Sequence, residues 1–313
     1  MMKKIATLAA GMAISITAVM LLAPAAKSKK IRMNSKDLPE HRVRLISPSN
    51  PAYKDEIERE KEGKSPEDKR AMEMLEPFSA FLKNDNDRAL LAYSLKWEIT
   101  REDGKTVTYF ASYSDADALS GADTSAFATG PAVRPGSRRF VTLVSQVSQG
   151  NGIGSGPNLH TTGDGSDVGN SPIVNGSSGA PEEATTELQQ ASDLTVSVDS
   201  AVFDDGRSVG PDAGRHFDRL QALLNARNDL LRGALNSIRQ GKKVEDVMSR
   251  IKEISETEGT LGSDKPADLY QSYRKEFASE IIRTRAAVGD DKTALWYAFQ
   301  PLTKKWPKLR KEP

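Results

Sequence analysis

The chain contains no cysteine, which removes disulfides, thiolate nucleophiles, iron–sulfur clusters and cysteine-bound zinc together. It also leaves no cysteine for lipid attachment behind an export signal. Only three histidines occur, His41, His160 and His216, dispersed and without the i, i+4 pair and intervening glutamate of a zinc hydrolase. No glycines satisfy G-x-G-x-x-G between a strand and a helix, so a phosphate cradle has no support. Asp115-Ala116-Asp117 opens like a calcium loop, but Leu119 and Ala126 stand where the loop needs an oxygen ligand and a bidentate glutamate. Charge of one sign is missing as well: basic residues number 44 and acidic residues 43, a balance that gives no field for nucleic acid. The expectation is a protein with no cofactor, no bound metal and no nucleic-acid partner.

What is present begins with an export signal over residues 1–26. Lys3 and Lys4 precede an apolar run from Ile5 to Leu22, and Ala23-Pro24-Ala25 supplies the small residues of a cleavage site. The run is long, and Lys27, Lys29, Lys30 and Arg32 follow it directly, so an uncleaved N-terminal anchor is the alternative and the only membrane contact expected. Residues 27–76 are charged, weakly periodic and broken by Pro39, Pro48 and Pro51. They read as a mostly flexible segment outside the core, with one short helix over Pro66 to Leu75 capped by Ser65.

Residues 77–212 have β character. Phe78, Ala80 and Leu82 alternate, and Asn84 to Asp87 supply turn chemistry. Leu91, Tyr93, Leu95, Trp97 and Ile99 then alternate in turn, so the simplest solution is an antiparallel pair joined at Asn84. The regular row of Tyr93, Trp97 and Tyr109 suits a core more than an exposed aromatic platform. Thr106 to Ala111 makes a further strand, and Arg139 to Val147, apolar on both faces, a central one. Residues 148–191 are Gly/Ser-rich and too poor in bulky side chains to offset the entropy of ordering, which predicts a disordered insert. The stretch that follows, Asp193 to Asp212, joins the β-region to the rest of the chain. In it Leu194, Val196, Val198 and Val202 share one phase, Asp204-Asp205-Gly206 turns the chain, and Asp212 is positioned to cap the next helix.

From residue 213 to 306 the period becomes helical. Phe217, Leu220, Leu224, Leu231, Leu235 and Ile238 mark a helix from about Gly214 to Gln240. Val244, Val247, Met248, Ile251 and Ile254, then Leu269, Tyr270, Tyr273, Phe277, Ile281 and Ile282, then Leu295, Trp296 and Phe299 mark three more, and residues 307–313 read as a basic tail. The first helix is roughly 35–40 Å long at 1.5 Å per residue, so the β-unit alone cannot cover its stripe. Its far end must pack on the later helices or on a second copy through Leu231, Leu235 and Ile238.

The runs Lys83-Asn84-Asp85-Asn86-Asp87, Leu95-Lys96-Trp97-Glu98, Asp103-Gly104-Lys105, Arg134-Pro135-Gly136, Val198 to Gly206 and Gly210-Pro211-Asp212 resemble a group of uncharacterised exported bacterial proteins with an immunoglobulin-like strand pattern. The resemblance implies no activity. It agrees with an α+β chain made of a small antiparallel immunoglobulin-like β-sandwich followed by an α-helical region. Missing catalytic clusters and plentiful apolar helix faces favour a non-catalytic binding or structural protein of the cell envelope or extracellular space. Its partner would be another protein, or a second copy meeting it through the helical region. The competing expectation is a secreted hydrolase using Asp204, Asp205, Asp212 and His216 at the strand-to-helix corner.

The signal reading is checked by N-terminal sequencing of the mature protein. A start near Ala26 is expected, and an intact Met1 in the membrane fraction would mean an anchor instead.

Overall fold

The computed structural model describes residues 31–114, 132–143, 158–162, 187–188, 190–257, 265–299 and 308–312. The expected export signal, the Asp115-Ala116-Asp117 stretch and most of the expected Gly/Ser-rich insert lie outside them. The chain is α+β, with ten strands in two sheets and six α-helices among the described residues. None of these helices is long and apolar enough to cross a membrane.

The larger sheet is built on β4 (Leu90–Arg101) and β8 (Ala191–Phe203), which run antiparallel along most of their length. β5 (Thr106–Ser114) flanks β4, and β7 (Asn158–Thr162), from within the expected insert, pairs with β5. The far edge of β8 is shared. β1 (Arg32–Lys36) takes Asp193 to Ser197, and β9 (Arg207–Val209) takes Ala201 and Val202. β1 runs parallel to β8, and β10 (Arg310–Lys311) runs parallel to β9. The expected all-antiparallel sheet is therefore mixed. Both parallel strands come from the ends of the chain, and parallel neighbours need long crossovers, which leave no local turn signal.

The smaller sheet is antiparallel, in the order β2 (Val43–Ile46), β3 (Ser79–Asn84), β6 (Arg138–Thr142). This overturns the expected pairing of β3 with β4. Asn84 does not close a hairpin but turns the chain from one sheet to the other, its side-chain amide donating to the carbonyls of Arg88 at 2.7 Å and Val133 at 3.2 Å. β6, expected at the centre of a sheet, lies at an edge. One core cluster draws on both sheets, with Val43, Leu82 and Val141 from the smaller and Tyr93, Leu95, Trp97, Ile99, Leu194 and Val196 from the larger.

The charged N-terminal segment is a second correction. Met33, Val43 and Leu45 are buried in the main core. Tyr53 and Ile57 from α1 (Tyr53–Lys61) form a further cluster with Met72 of α2 (Pro66–Leu75) and with Phe81. Charge hid these residues because only every second or fourth side chain turns inward, while the rest stay in water. The α2 boundaries fall where Ser65 and Pro66 predict them, with Ser65 Oγ accepting the Asp68 N–H at 3.1 Å.

Four C-terminal helices form where the stripes predict them: α3 (His216–Arg239), α4 (Val244–Glu256), α5 (Pro266–Val288) and α6 (Asp291–Phe299). The stripe of α6 is corrected at Trp296, which is exposed because it follows the buried Leu295 by one residue and so turns to another side of the helix. The first half of α3 packs Leu220 and Leu224 onto Leu91, Ala92 and Val202 of the larger sheet. Its second half buries Leu230, Leu231 and Ala234 against Val247, Ile251, Phe277 and Ile281. The far end of the long stripe is thus covered by the later helices.

Trp97 is fully buried, as are Tyr93 and Tyr109, so the aromatic row is core and not a platform. Trp97→Ala is expected to destabilise the protein by about 3–5 kcal/mol in urea unfolding. A loss below about 1 kcal/mol would contradict the packing described here.

Candidate functional site

The corner where β8 hands the chain to α3 is organised by an irregularity in β8. Its pairing with β4 shifts between Ser94↔Ser200 and Leu95↔Val198, leaving Asp199 as an extra residue without a partner. A bulge of this kind breaks the inward–outward alternation. Leu194, Val196 and Val198 face the main core, but after the bulge Ala201 and Phe203 take that face, and Val202 joins the cluster under α3. Val202 is therefore out of phase with Val198, contrary to the strict alternation. Leu91 departs in the same way at a second register shift, between Leu90 and Ala92 of β4.

The bulge sets two consecutive polar side chains against the loop before α3. The Asp199 carboxylate accepts the backbone N–H of Ala213 at 2.8 Å and of Gly214 at 3.0 Å. Burial raises the pKa of Asp199, and the two N–H groups work the other way by holding the carboxylate form. Next to it, Ser200 Oγ lies 2.7 Å from His216 Nδ1. Asp212 takes two bonds of its own, accepting the Phe217 N–H at 3.1 Å on Oδ1 and Lys311 Nζ at 2.8 Å on Oδ2. The cap position of α3 is held not by Asp212, as expected, but by Arg215, which makes no side-chain cap bond; Asp212 reaches the Phe217 N–H from three residues further back, and both residues are left-handed (φ 54°). The Lys311 pKa is raised by this bond to Asp212.

Two glycines permit the approach. Gly210 has φ 106°, and a Cβ there would stand 2.6 Å from the Asp199 carbonyl oxygen. A Cβ on Gly214 would meet the Phe110 ring at 2.6 Å. Neither position accepts alanine without a shift of the backbone or of a buried ring.

Of the predicted site residues, the structure unites Asp212 and His216 and leaves Asp204 and Asp205 elsewhere. Asp204 closes the β8–β9 turn, exchanging bonds with the backbone of Ala89. Asp205 pairs with Arg207 at 2.6 Å. Among the described residues no hydrogen bond or ion pair joins either to His216. The residues missed were Asp199, Ser200 and Lys311. The first two looked like ordinary outward positions of an alternating strand, and Lys311 looked like one more charge of a solvated tail. The available signal was the cluster of Gly210, Pro211 and Gly214 around one short loop.

As a hydrolytic pair, Ser200 and His216 would need to meet a substrate, yet Ser200 is 0% exposed and His216 3%. Their contact instead ties α3 to the sheet. Burial lowers the His216 pKa from 6.5 to about 4; Asp212 opposes the shift and Arg219 adds to it. The native state then holds fewer protons than the unfolded state between those two values, so stability falls as pH drops through that window. The loss for this one group is at most about 3 kcal/mol. Urea unfolding from pH 7.5 to 4 should show a steeper decline for the wild type than for His216→Asn, and parallel curves would refute the assignment.

No protein-family model matches this chain, and it matches no curated protein and no solved structure. The role of the corner therefore rests on its own chemistry.

Proposed function

We propose that the chain is an exported, non-catalytic binding protein of the cell envelope or extracellular space, in which the β-unit serves as a scaffold and the helical unit meets a protein partner. One observation carries the reading. Trp296 and Tyr297 on α6 are 61% and 51% exposed, while Tyr93, Trp97 and Tyr109 are buried. The two rings meet edge to face with centroids 5.0 Å apart. Adjacent exposed aromatics of this size are enriched where proteins bind one another, because they bring large contact area at little cost in side-chain entropy. The corner supports the same reading, since its polar groups are spent on joining the units.

The immunoglobulin-like sandwich belongs to this proposal. It is supported by the single core cluster drawn from both sheets, and the parallel strands β1 and β10 would be additions at its edges. The partner is a second protein, or a second copy of this chain meeting through the helical region. Since Leu231 is buried among the helices, a second copy would use the α6 surface and not the α3 stripe.

The test compares wild type with Trp296→Ala/Tyr297→Ala in capture from the native envelope fraction and in sedimentation velocity. The double variant should keep its melting temperature and lose at least about 2 kcal/mol of partner affinity, roughly thirtyfold. If it retains the same captured proteins and the same mass in solution as wild type, the α6 surface is not the interface.

A further inference from the structure

The helical unit contains a crevice of about 180 Å³ between α3 and α4, with α5 contributing Arg274. Its apolar lining is Ala234 from α3 and Val247, Ile251 and Ile254 from α4. Gly233 also lines it, and a Cβ built there meets no atom within 4 Å, so the wall is open at this point.

The charges around this space do not balance. Lys242, Arg250 and Arg274 line the crevice against one carboxylate, Asp246. Among the described residues none of the three cations forms an ion pair. Lys242 and Arg250 are exposed, and water accounts for their charge. Arg274 is half-buried, and its Nε is covered and has no hydrogen-bond partner. A buried donor left unmatched is costly, more so on a charged group. An anion entering the crevice would meet three cations, Arg274 in its wall and Lys242 and Arg250 at its rim, against the one carboxylate of Asp246.

We propose that this crevice binds a small carboxylate with a compact apolar body, an aryl or short branched alkyl acid. The carboxylate would meet Arg274, Arg250 and Lys242, and the apolar body would lie against Ala234, Val247 and Ile251. Size agrees with this class, because an apolar void of roughly 150 Å³ accepts a benzene ring. The crevice shares no residue with the Trp296–Tyr297 surface, so it is a second site on the helical unit.

Benzoate and its uncharged counterpart benzyl alcohol are the probes, titrated into the full-length protein by calorimetry. Benzoate should bind one to one, at least about tenfold more tightly than benzyl alcohol, and should weaken as salt is raised. Arg274→Met should bring benzoate down to the level of benzyl alcohol. Gly233→Leu, which points its side chain into open space, should abolish binding of both. Should Arg274→Met lose helical signal, Arg250→Gln at the exposed rim takes its place, with a smaller loss confined to benzoate. Trp296→Ala/Tyr297→Ala should leave benzoate binding unchanged, which separates failure of this site from failure of the partner surface. No benzoate binding, equal affinity for the two probes, or full binding by Gly233→Leu would each overturn the proposal.

Discussion

The extra residue at Asp199 is the constraint on which the rest of the architecture depends. A regular strand would send Asp199 and Ser200 to opposite faces of the sheet. With the bulge, both engage the loop leading into α3, one through the Ala213 and Gly214 N–H groups and the other through His216. The same irregularity moves Val202 onto the face that receives Leu220 and Leu224. It also divides the edge of β8, with β1 pairing before it and β9 after it. Positioning of the helix, burial of its first half and pairing of the chain's N-terminal strand thus share one cause.

The second element of the corner is long-range. Lys311 lies 99 residues beyond Asp212 and ion-pairs with it, while Leu309 is buried in the cluster with Leu91 and Leu224. The C-terminal segment therefore straps the joint by this ion pair, by longer ones from Arg310 to Asp205 and from Glu312 to Arg207, by one buried side chain and by a short parallel ladder on β9. Asp212 is 6% exposed, and an ion pair at such a carboxylate is screened less than one in open water. Its removal would leave a buried charge to be satisfied by the Phe217 N–H alone.

This joint separates mechanical from interactive chemistry. His216, Asp199, Ser200 and Asp212 are the residue types that suggest catalysis in a sequence, and here they are turned inward and committed to the loop and to α3. The helical unit carries the reverse pattern, with aromatic rings on α6 facing outward and with cations around the α3–α4 crevice that form no ion pair among the described residues. A helix anchored at its N-terminal half to a sheet and at its C-terminal half to three other helices gives those surfaces a fixed support.

The sequence by itself determined the local elements whose signals lie within a few residues: the Ser65-Pro66 helix start, the strand around Trp97, and the four C-terminal helices with their inward stripes, Trp296 excepted. These follow from periodicity and capping, which act over one or two turns of chain. It placed Asp212 beside the start of α3 but not its role, since Arg215 holds the cap position and Asp212 reaches the Phe217 N–H from three residues further back. Only the tertiary structure decided that β3 joins β2 and β6 and not β4, that the charged segments at both ends supply strands, and that Lys311 meets Asp212. Those choices depend on which distant edges and charges have partners left, and loop-closure entropy grows so slowly with length that separation along the chain barely ranks the alternatives. The bulge belongs to the same class. One inserted residue leaves an apolar alternation looking intact in the sequence, while in the sheet it exchanges the two faces of everything that follows.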